Sequence, residues 1–169
     1  MKKDFDHIAN KYDTDFTYSE IGKRQRKSVY KYLNKLPNNL SVLELNCGTG
    51  EDAIWFANKG NTVLATDISL EMIKVGEAKV KGIDNIKFQQ LDINILNKTE
   101  ILPVVQNDKT NTNIILTERG TSDKESQKFD LIFSNFGGLN CLNATELKIF
   151  FANAKELLNL NGKLILCYK

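Results

Sequence analysis

The chain has 169 residues, 41% hydrophobic and 26% charged, which suits one globular domain with an ordinary core and leaves too little length for a second. It carries 23 Lys and Arg against 21 Asp and Glu, a formal net charge of +2. The basic side chains are scattered along the sequence, so charge predicts neither a nucleic acid nor an anionic membrane as partner. No apolar run approaches the ~20 residues of a membrane-spanning helix. Met1-Lys2-Lys3-Asp4-Phe5-Asp6 lacks the apolar core of a signal peptide, and a cytoplasmic protein is expected. Three cysteines, Cys47, Cys141 and Cys167, with no Cys-x-x-Cys spacing and the single histidine His7, exclude a disulfide framework and a structural zinc site, and no metal is expected.

Residues 1–40 read as a lid segment and helix. An aromatic-rich stretch (Phe5, Tyr12, Phe16, Tyr18) precedes a helix over 19–36 that carries Ile21, Val29, Tyr32, Leu33 and Leu36 and stops at Pro37. Residues 41–169 then alternate short apolar runs with helical stretches. Strands are predicted at 41–46, 61–66, 86–91, 129–135 and 162–168. The intervening helices cover 51–59, ended by Gly60, then 69–82, capped by Ser69 and closed by Gly82, and finally 145–160. Residues 97–128 are polar apart from 101–105 and 114–116, and read as an insertion, either a β-hairpin flap or disorder. The alternation predicts an α/β fold, a doubly wound and mostly parallel sheet covered by helices.

The strongest local signal is Glu44-Leu-Asn-Cys-Gly-Thr-Gly-Glu-Asp-Ala53, which leaves a strand, turns and enters a helix. Gly48 and Gly50 have no Cβ, so the backbone can take unusual φ values and a ligand can approach closely, while the helix start offers unpaired amides. Asp67 follows at the end of the next strand, where a carboxylate can accept hydrogen bonds from the two hydroxyls of a ribose. It can instead serve the turn that leads to Ser69. Loop and acid together indicate an adenosine-type ligand. Gly48-Thr-Gly50-Glu-Asp-Ala53 also satisfies the dinucleotide pattern G-x-G-x-x-G/A, but Glu51 and Asp52 would stand against a pyrophosphate at the helix start. S-adenosylmethionine, with no phosphate, a sulfonium cation and an amino-acid end, suits a loop lined by Glu44, Glu51 and Asp52.

These segments, with Val63-Leu-Ala-Thr-Asp67-Ile-Ser-Leu-Glu-Met-Ile73, Phe88-Gln-Gln-Leu-Asp92, Phe129-Asp-Leu-Ile-Phe-Ser-Asn135-Phe-Gly and Leu157-Leu-Asn-Leu-Asn-Gly-Lys-Leu-Ile-Leu166, resemble the class I S-adenosylmethionine-dependent methyltransferases of small-molecule type. The resemblance implies a Rossmann-like methyltransferase fold in which Gly48 and Gly50 face the methionine part of the cofactor and Glu44 supports its amino group. It implies Asp67 on the ribose hydroxyls, Ile68 beside the adenine, Met72 among the cofactor-binding residues, and Asp92 at the adenine amino group next to Ile93. Asn135 and Phe136 would line the transfer site, and Tyr12 would lie over the cofactor. Asp92 can equally cap its own loop, and Phe136 can be core packing. Asn46 stands where the family usually has glycine; asparagine is the next most tolerant of left-handed φ. The family sheet normally continues past strand five with a helix and an antiparallel hairpin, which this sequence lacks. A fragment or a reduced member is implied, with strand five as an exposed edge able to pair with another chain.

Methyl transfer needs mainly alignment and a dry pocket, so no catalytic residue is identified. His7 is a candidate base and Tyr12 a candidate lid, while Cys47 and Cys141 read as small buried side chains. Ser134-Asn-Phe-Gly137 lacks the Asn/Asp-Pro-Pro-aromatic signature of enzymes that methylate base amino groups, and a small-molecule acceptor is expected. Two other readings stay open: a non-catalytic S-adenosylmethionine-binding module or inactive fragment, and a nicotinamide-dependent reductase built on the same loop.

Overall fold

A computed structural model of the chain describes residues 5–96, 101 and 127–167. β1 (Ser41–Leu45), β2 (Thr62–Asp67), β3 (Ile86–Gln90), β4 (Phe129–Ser134) and β5 (Leu158–Leu166) form one sheet in the order β3-β2-β1-β4-β5. Every pairing in it is parallel. Residues 42–45, 63–66 and 131–134 are buried along their whole length, which is why these strands read as unbroken apolar runs: helices cover both faces.

On one face, Val42, Val63, Leu131 and Phe133 meet Leu33 of α2 (Glu20–Leu33), Phe56 of α3 (Glu51–Asn58) and Ile73 of α4 (Leu70–Lys79), with α1 (Ala9–Tyr12) lying ahead of them in the chain. On the other, Leu43, Leu45, Leu64 and Ile132 meet Ile93 and, from α5 (Ala144–Leu157), Phe150, Ala154 and Leu157. Ser69 caps α4 by accepting from the Met72 N–H, as its position suggests, and Gly60 and Gly82 take positive φ just past α3 and α4.

Most element ends differ by a residue or two from those the periodicity predicts, α4 stops at Lys79 rather than 82, and the larger differences fall on α2, α5 and β5. α2 begins after the Ser19 cap and ends at Leu33; its inner stripe is Gly22, Arg26, Val29 and Leu33, spaced i, i+4, i+7, i+11, while Ile21 and Tyr32 are 67% and 61% exposed. α5 starts one residue earlier than expected, because Asn143 and Glu146 form a reciprocal capping box. It ends at Leu157 rather than 160, since Leu158 already pairs with Phe129 in the sheet. The ladder then shifts before Leu131 pairs with Lys163, and the intervening residues bulge outward, with Asn161 at φ 66° and Leu160 94% exposed. The aromatic lead-in is helical throughout: a 3-10 turn at Asp6–Ile8, then α1, then a wide turn at Asp13–Thr17.

Most of the 97–128 insertion, and with it the choice between hairpin and disorder, lies outside the described residues. Ile101, which is described, is buried against the α5 side of the core. β5 forms one edge of the sheet, with no strand on its outer side among the described residues.

The glycine loop is locked to the sheet by an aromatic ring. A Cβ built on Gly50 or on Gly76 of α4 would stand 2.5 Å from the Phe88 ring of β3, so that ring is held between two positions that lack side chains. Alanine in a helix interior ordinarily gains about 1 kcal/mol over glycine. Here Gly76→Ala is expected to lower the unfolding free energy by about 1–3 kcal/mol through overpacking, read in a urea titration, with partial recovery on adding Phe88→Leu. A gain in stability from Gly76→Ala alone contradicts this packing.

Candidate functional site

The sheet order reverses between β1 and β4, so the loops that leave their carboxyl ends part and open a crevice. The loop after β1 is built on three left-handed residues, Asn46 (φ 56°), Gly48 (φ 55°) and Gly50 (φ 77°), which lets the chain reverse and start α3 within five residues. The Asp67 carboxylate holds it in place. Its Oδ2 accepts from the Gly48 N–H at 2.8 Å and its Oδ1 from the Ser69 N–H at 2.9 Å, while Cys47 N–H donates to Thr66 O at 2.9 Å. Burial pushes the Asp67 carboxyl up, against the pull of these amides. Asp67 therefore serves the Ser69 turn and the glycine loop together.

The two loop glycines do different work. Gly50 is bare because Phe88 packs there. A Cβ on Gly48 would meet nothing nearer than the Tyr12 ring, at 3.7 Å. The open side of the loop therefore faces Tyr12, whose hydroxyl burial pushes up in pKa.

Below the loop lie polar atoms with no partner among the described residues. Glu44 is 2% exposed, and its Oε2, the Asn46 Nδ2 and the Ser134 Oγ are all buried without a hydrogen bond. Burial, reinforced by the Asp52 charge, pushes the Glu44 carboxyl well up. Native interiors satisfy nearly all such groups. Asn46 Nδ2 and Ser134 Oγ lie together beside Gly138, whereas Glu44 pairs with Phe133 and stands on the α2 and α3 face of the sheet.

The acids that the sequence assigns to the loop divide. Asp52 does not face the crevice as a free charge. It is buried and takes Arg26 Nε at 3.2 Å and the Tyr30 hydroxyl at 2.5 Å on Oδ1, and Asn135 Nδ2 at 2.9 Å on Oδ2. Glu51 stands 3.6 Å from Lys79. The reason is the unforeseen Arg26: a guanidinium on the inner stripe of α2 must meet a carboxylate to be buried. Of these acids, only Glu44 and Asp67 remain without an ion pair among the described residues.

The lead-in straps this region. Asp13 accepts from Thr49 Oγ1 at 2.5 Å and from Lys79 Nζ at 2.8 Å, and Ser69 Oγ donates to Asp6 at 2.5 Å. Burial alone would raise the Asp13 carboxyl, but the Lys79 and Thr49 hydrogen bonds outweigh it and hold it low. Tyr12 packs on Phe16 and Phe16 edge-on to Phe136, with ring centres 5.4 and 5.2 Å apart, and the Arg26 guanidinium lies 4.7 Å over the Phe136 ring. Phe136 takes φ 54°, a backbone position costly for a bulky residue and kept here by these contacts and by the hydrogen bond from its N–H to Asn135 Oδ1.

Of the residues singled out by sequence, Asp67 meets Gly48, Tyr12 faces Gly48 and reaches Phe136 through Phe16, Asn135 holds Asp52, and Gly50 packs on Phe88; Glu44 and Asn46 lie on the strand and turn between them. Ile68 is half-buried beside Asp67, and its carbonyl accepts from Gln90. Met72 is buried within the fold on α4, and Ile93 belongs to the α5-side core. Asp92 caps its own turn, with Oδ1 accepting from both nitrogens of Asn94. His7 is exposed. Cys47 is buried, but Cys141 is exposed rather than buried, because the 3-10 turn Gly138–Cys141 lies on the surface before the Asn143 cap. Arg26 and Tyr30 carry no motif, and the sequence assigns no role to Asp13 or to Thr49, though Thr49 lies inside the glycine loop; for Arg26 the i, i+4, i+7 spacing with Gly22 and Val29 is the available signal. The scattered basic residues are also partly gathered. Lys23, Lys27 and Lys31, four residues apart on α2, line one surface groove with Tyr18, Tyr30 and Trp55. No helix among the described residues is long and apolar enough to cross a membrane.

A parallel sheet with a glycine turn after its central strand and an acid closing the next is the layout of a Rossmann-like nucleotide-binding domain. Residues 36–169 match the family described as a methyltransferase domain, and the chain belongs to that family. It is 36% identical over 84 residues to a demethylmenaquinone methyltransferase of Renibacterium salmoninarum, a stretch that covers 48% of this chain and 35% of the relative. It is 30% identical over 94 residues to the tRNA 5-carboxymethoxyuridine methyltransferase of Escherichia coli, covering 51% of this chain and 36% of that one. The matched stretches thus span about a third of these curated relatives. Among solved structures, the complex of DhpI with S-adenosylhomocysteine superimposes with a TM-score of 0.66 at 20% identity, covering 98% of this chain and 65% of the other. Phosphoethanolamine N-methyltransferase 1 of Haemonchus contortus gives a TM-score of 0.66 at 20% identity, over 98% of this chain and 31% of that one.

Because burial raises Glu44 in the folded protein, the folded state holds its proton at pH values where the unfolded state has lost it. Stability therefore falls as pH climbs from the ordinary glutamate value of 4.5 toward the raised one. Glu44→Gln is expected to remove that decline, so that thermal melts of variant and wild type diverge with rising pH, the variant higher. A constant offset across the range contradicts an unpaired buried carboxyl.

Proposed function

We propose that the chain binds S-adenosylmethionine in the crevice and takes part in transferring its methyl group to a small-molecule acceptor. The observation that carries this reading is the unpartnered, buried Glu44 carboxyl lying below a glycine turn that Asp67 secures. An ammonium group is the natural partner for Glu44, with Asn46 two residues further on. The turn at Gly48 and Gly50 can take the methionine part, and Asp67, which still has acceptor lone pairs, the ribose hydroxyls. Ile68 and Met72 would flank the adenine, and Asp92, one residue beyond β3, would accept from its amino group, with Ile93 behind.

When bound, the cofactor supplies a methyl group activated by sulfonium charge. The chain's own contribution is positional. Tyr12, Phe16 and Phe136 form an apolar roof over the crevice that excludes water, and Asn135, held by Asp52, fixes the floor at the end of β4. The exposure of His7 gives it no role in this arrangement. A second reading for the acceptor is an RNA, favoured by the lysine and aromatic groove on α2 and by the likeness to a tRNA methyltransferase.

Calorimetric titration with S-adenosylhomocysteine and, separately, with NADH tests the cofactor. Saturable binding of the first is expected, weakened about tenfold or more by Glu44→Gln, as loss of a charge-assisted hydrogen bond implies. Binding of NADH without binding of S-adenosylhomocysteine would overturn the reading.

A further inference from the structure

A second cleft adjoins the crevice. It has a volume of about 370 Å3, runs between α2 and the loop after β4, and is lined by Arg24, Gln25, Ser28, Asn135, Phe136 and Cys167. Asn135 and Phe136 belong to both hollows, so a molecule seated in the cleft would reach the place where the proposed function puts methyl transfer. The cleft falls within the size range of small-molecule sites.

Two of its features point to a ligand. The Gln25 Oε1 is buried and has no hydrogen-bond partner among the described residues, although Gln25 itself is only half-buried and lies on a helix exposed elsewhere to water. A buried carbonyl oxygen left unpaired is rare enough to need an explanation, and a donor delivered from outside supplies one. Arg24, one residue before it, is exposed and makes no ion pair among the described residues. Asp52, the acid behind Asn135, is taken up by Arg26 and Tyr30, and its negative charge is not available to Arg24. Cys167 adds a neutral thiol, since burial pushes its pKa up.

We infer that this cleft is an acceptor site, selecting a small molecule that donates an N–H or O–H to Gln25 Oε1 and presents a carboxylate or phosphate to Arg24. The inference rests on the methyltransferase reading and adds to it the chemical class of acceptor: a protic amine or alcohol that also bears an anion. An apolar acceptor would leave Gln25 unsatisfied, and a cationic one would meet Arg24.

The test uses the 169-residue chain saturated with S-adenosylhomocysteine and follows the Gln25 side-chain amide by NMR. The probes are short aminoalkyl carboxylates and aminoalkyl phosphates, their N,N,N-trimethyl counterparts, which keep the anion but have no N–H, and plain alkylamines, which have no anion. At least one aminoalkyl acid is expected to give a saturable shift of the Gln25 amide, and its trimethyl counterpart to bind about tenfold more weakly or worse. Gln25→Leu, followed by calorimetric titration because it has no amide at that position, is expected to show the same loss while keeping its affinity for S-adenosylhomocysteine within about twofold and its melting temperature at or above wild type. Arg24→Gln, an exposed change that leaves the fold intact, is expected to weaken the acids about fivefold or more and leave the plain amines unchanged. Absence of any saturable shift, or equal binding of protic and trimethylated probes, overturns the inference. Failure of S-adenosylhomocysteine itself to bind would instead remove the cofactor reading beneath it.

Discussion

The hydrogen bond from the Gly48 N–H to Asp67 is the constraint on which the rest of the site depends. It joins the turn after the central strand to the end of its neighbour, and it holds a backbone that passes through left-handed φ at positions 46, 48 and 50. With the turn fixed, α3 starts at Glu51 after the Gly50 cap, Asp52 is carried inward to meet Arg26, and Glu44 is buried in β1 before the loop. The Phe88 ring locks the far side, filling the space that Gly50 and Gly76 leave. None of these contacts is strong alone; their shared geometry leaves the loop one conformation.

Five carboxylates surround the crevice, and the structure gives them different roles. Asp13 ties the lead-in to Thr49 and Lys79, Glu51 stands near that same lysine, and Asp52 joins α2, α3 and the loop after β4 through Arg26, Tyr30 and Asn135. Asp67 is shared between structure and crevice. Glu44 alone among the five is buried with an oxygen that nothing among the described residues satisfies. The electrostatic case for a cationic ligand therefore rests on one unpaired acid rather than on a general excess of negative charge. That is a sharper basis for selectivity, because an isolated buried carboxyl favours a partner that brings a donor and a positive charge to one point.

Much of this was legible in the order of residues. Unbroken apolar runs at 42–45, 63–66 and 131–134 announce strands covered on both faces, and Ser69, Gly60 and Gly82 mark helix ends by local chemistry that tertiary contacts did not override. Asn46, Gly48, Gly50 and Asp67 could be placed at one site because a strand, a turn and a second strand leave little freedom. What stayed hidden was pairing at long range. Nothing in the sequence couples Arg26 to Asp52 or Lys79 to Asp13, so Glu51 and Asp52 read as ligand-facing acids when the fold neutralises them. Likewise Leu158 continues a helical period, and only its pairing with Phe129 turns it into the start of β5. The lysines of α2 look scattered until the helix sets residues four apart on one flank.

The proposed cofactor site turns on Glu44, a buried carboxyl proposed to meet the cationic end of the cofactor. Its titration is directly observable by side-chain carboxyl carbon NMR, in the free protein and in the protein saturated with S-adenosylhomocysteine. The structure predicts a midpoint well above the ordinary glutamate value of 4.5 in the free protein and a lower one in the complex, where an ammonium group stabilises the ionised form. An ordinary midpoint in the free protein, unchanged on saturation, would contradict it.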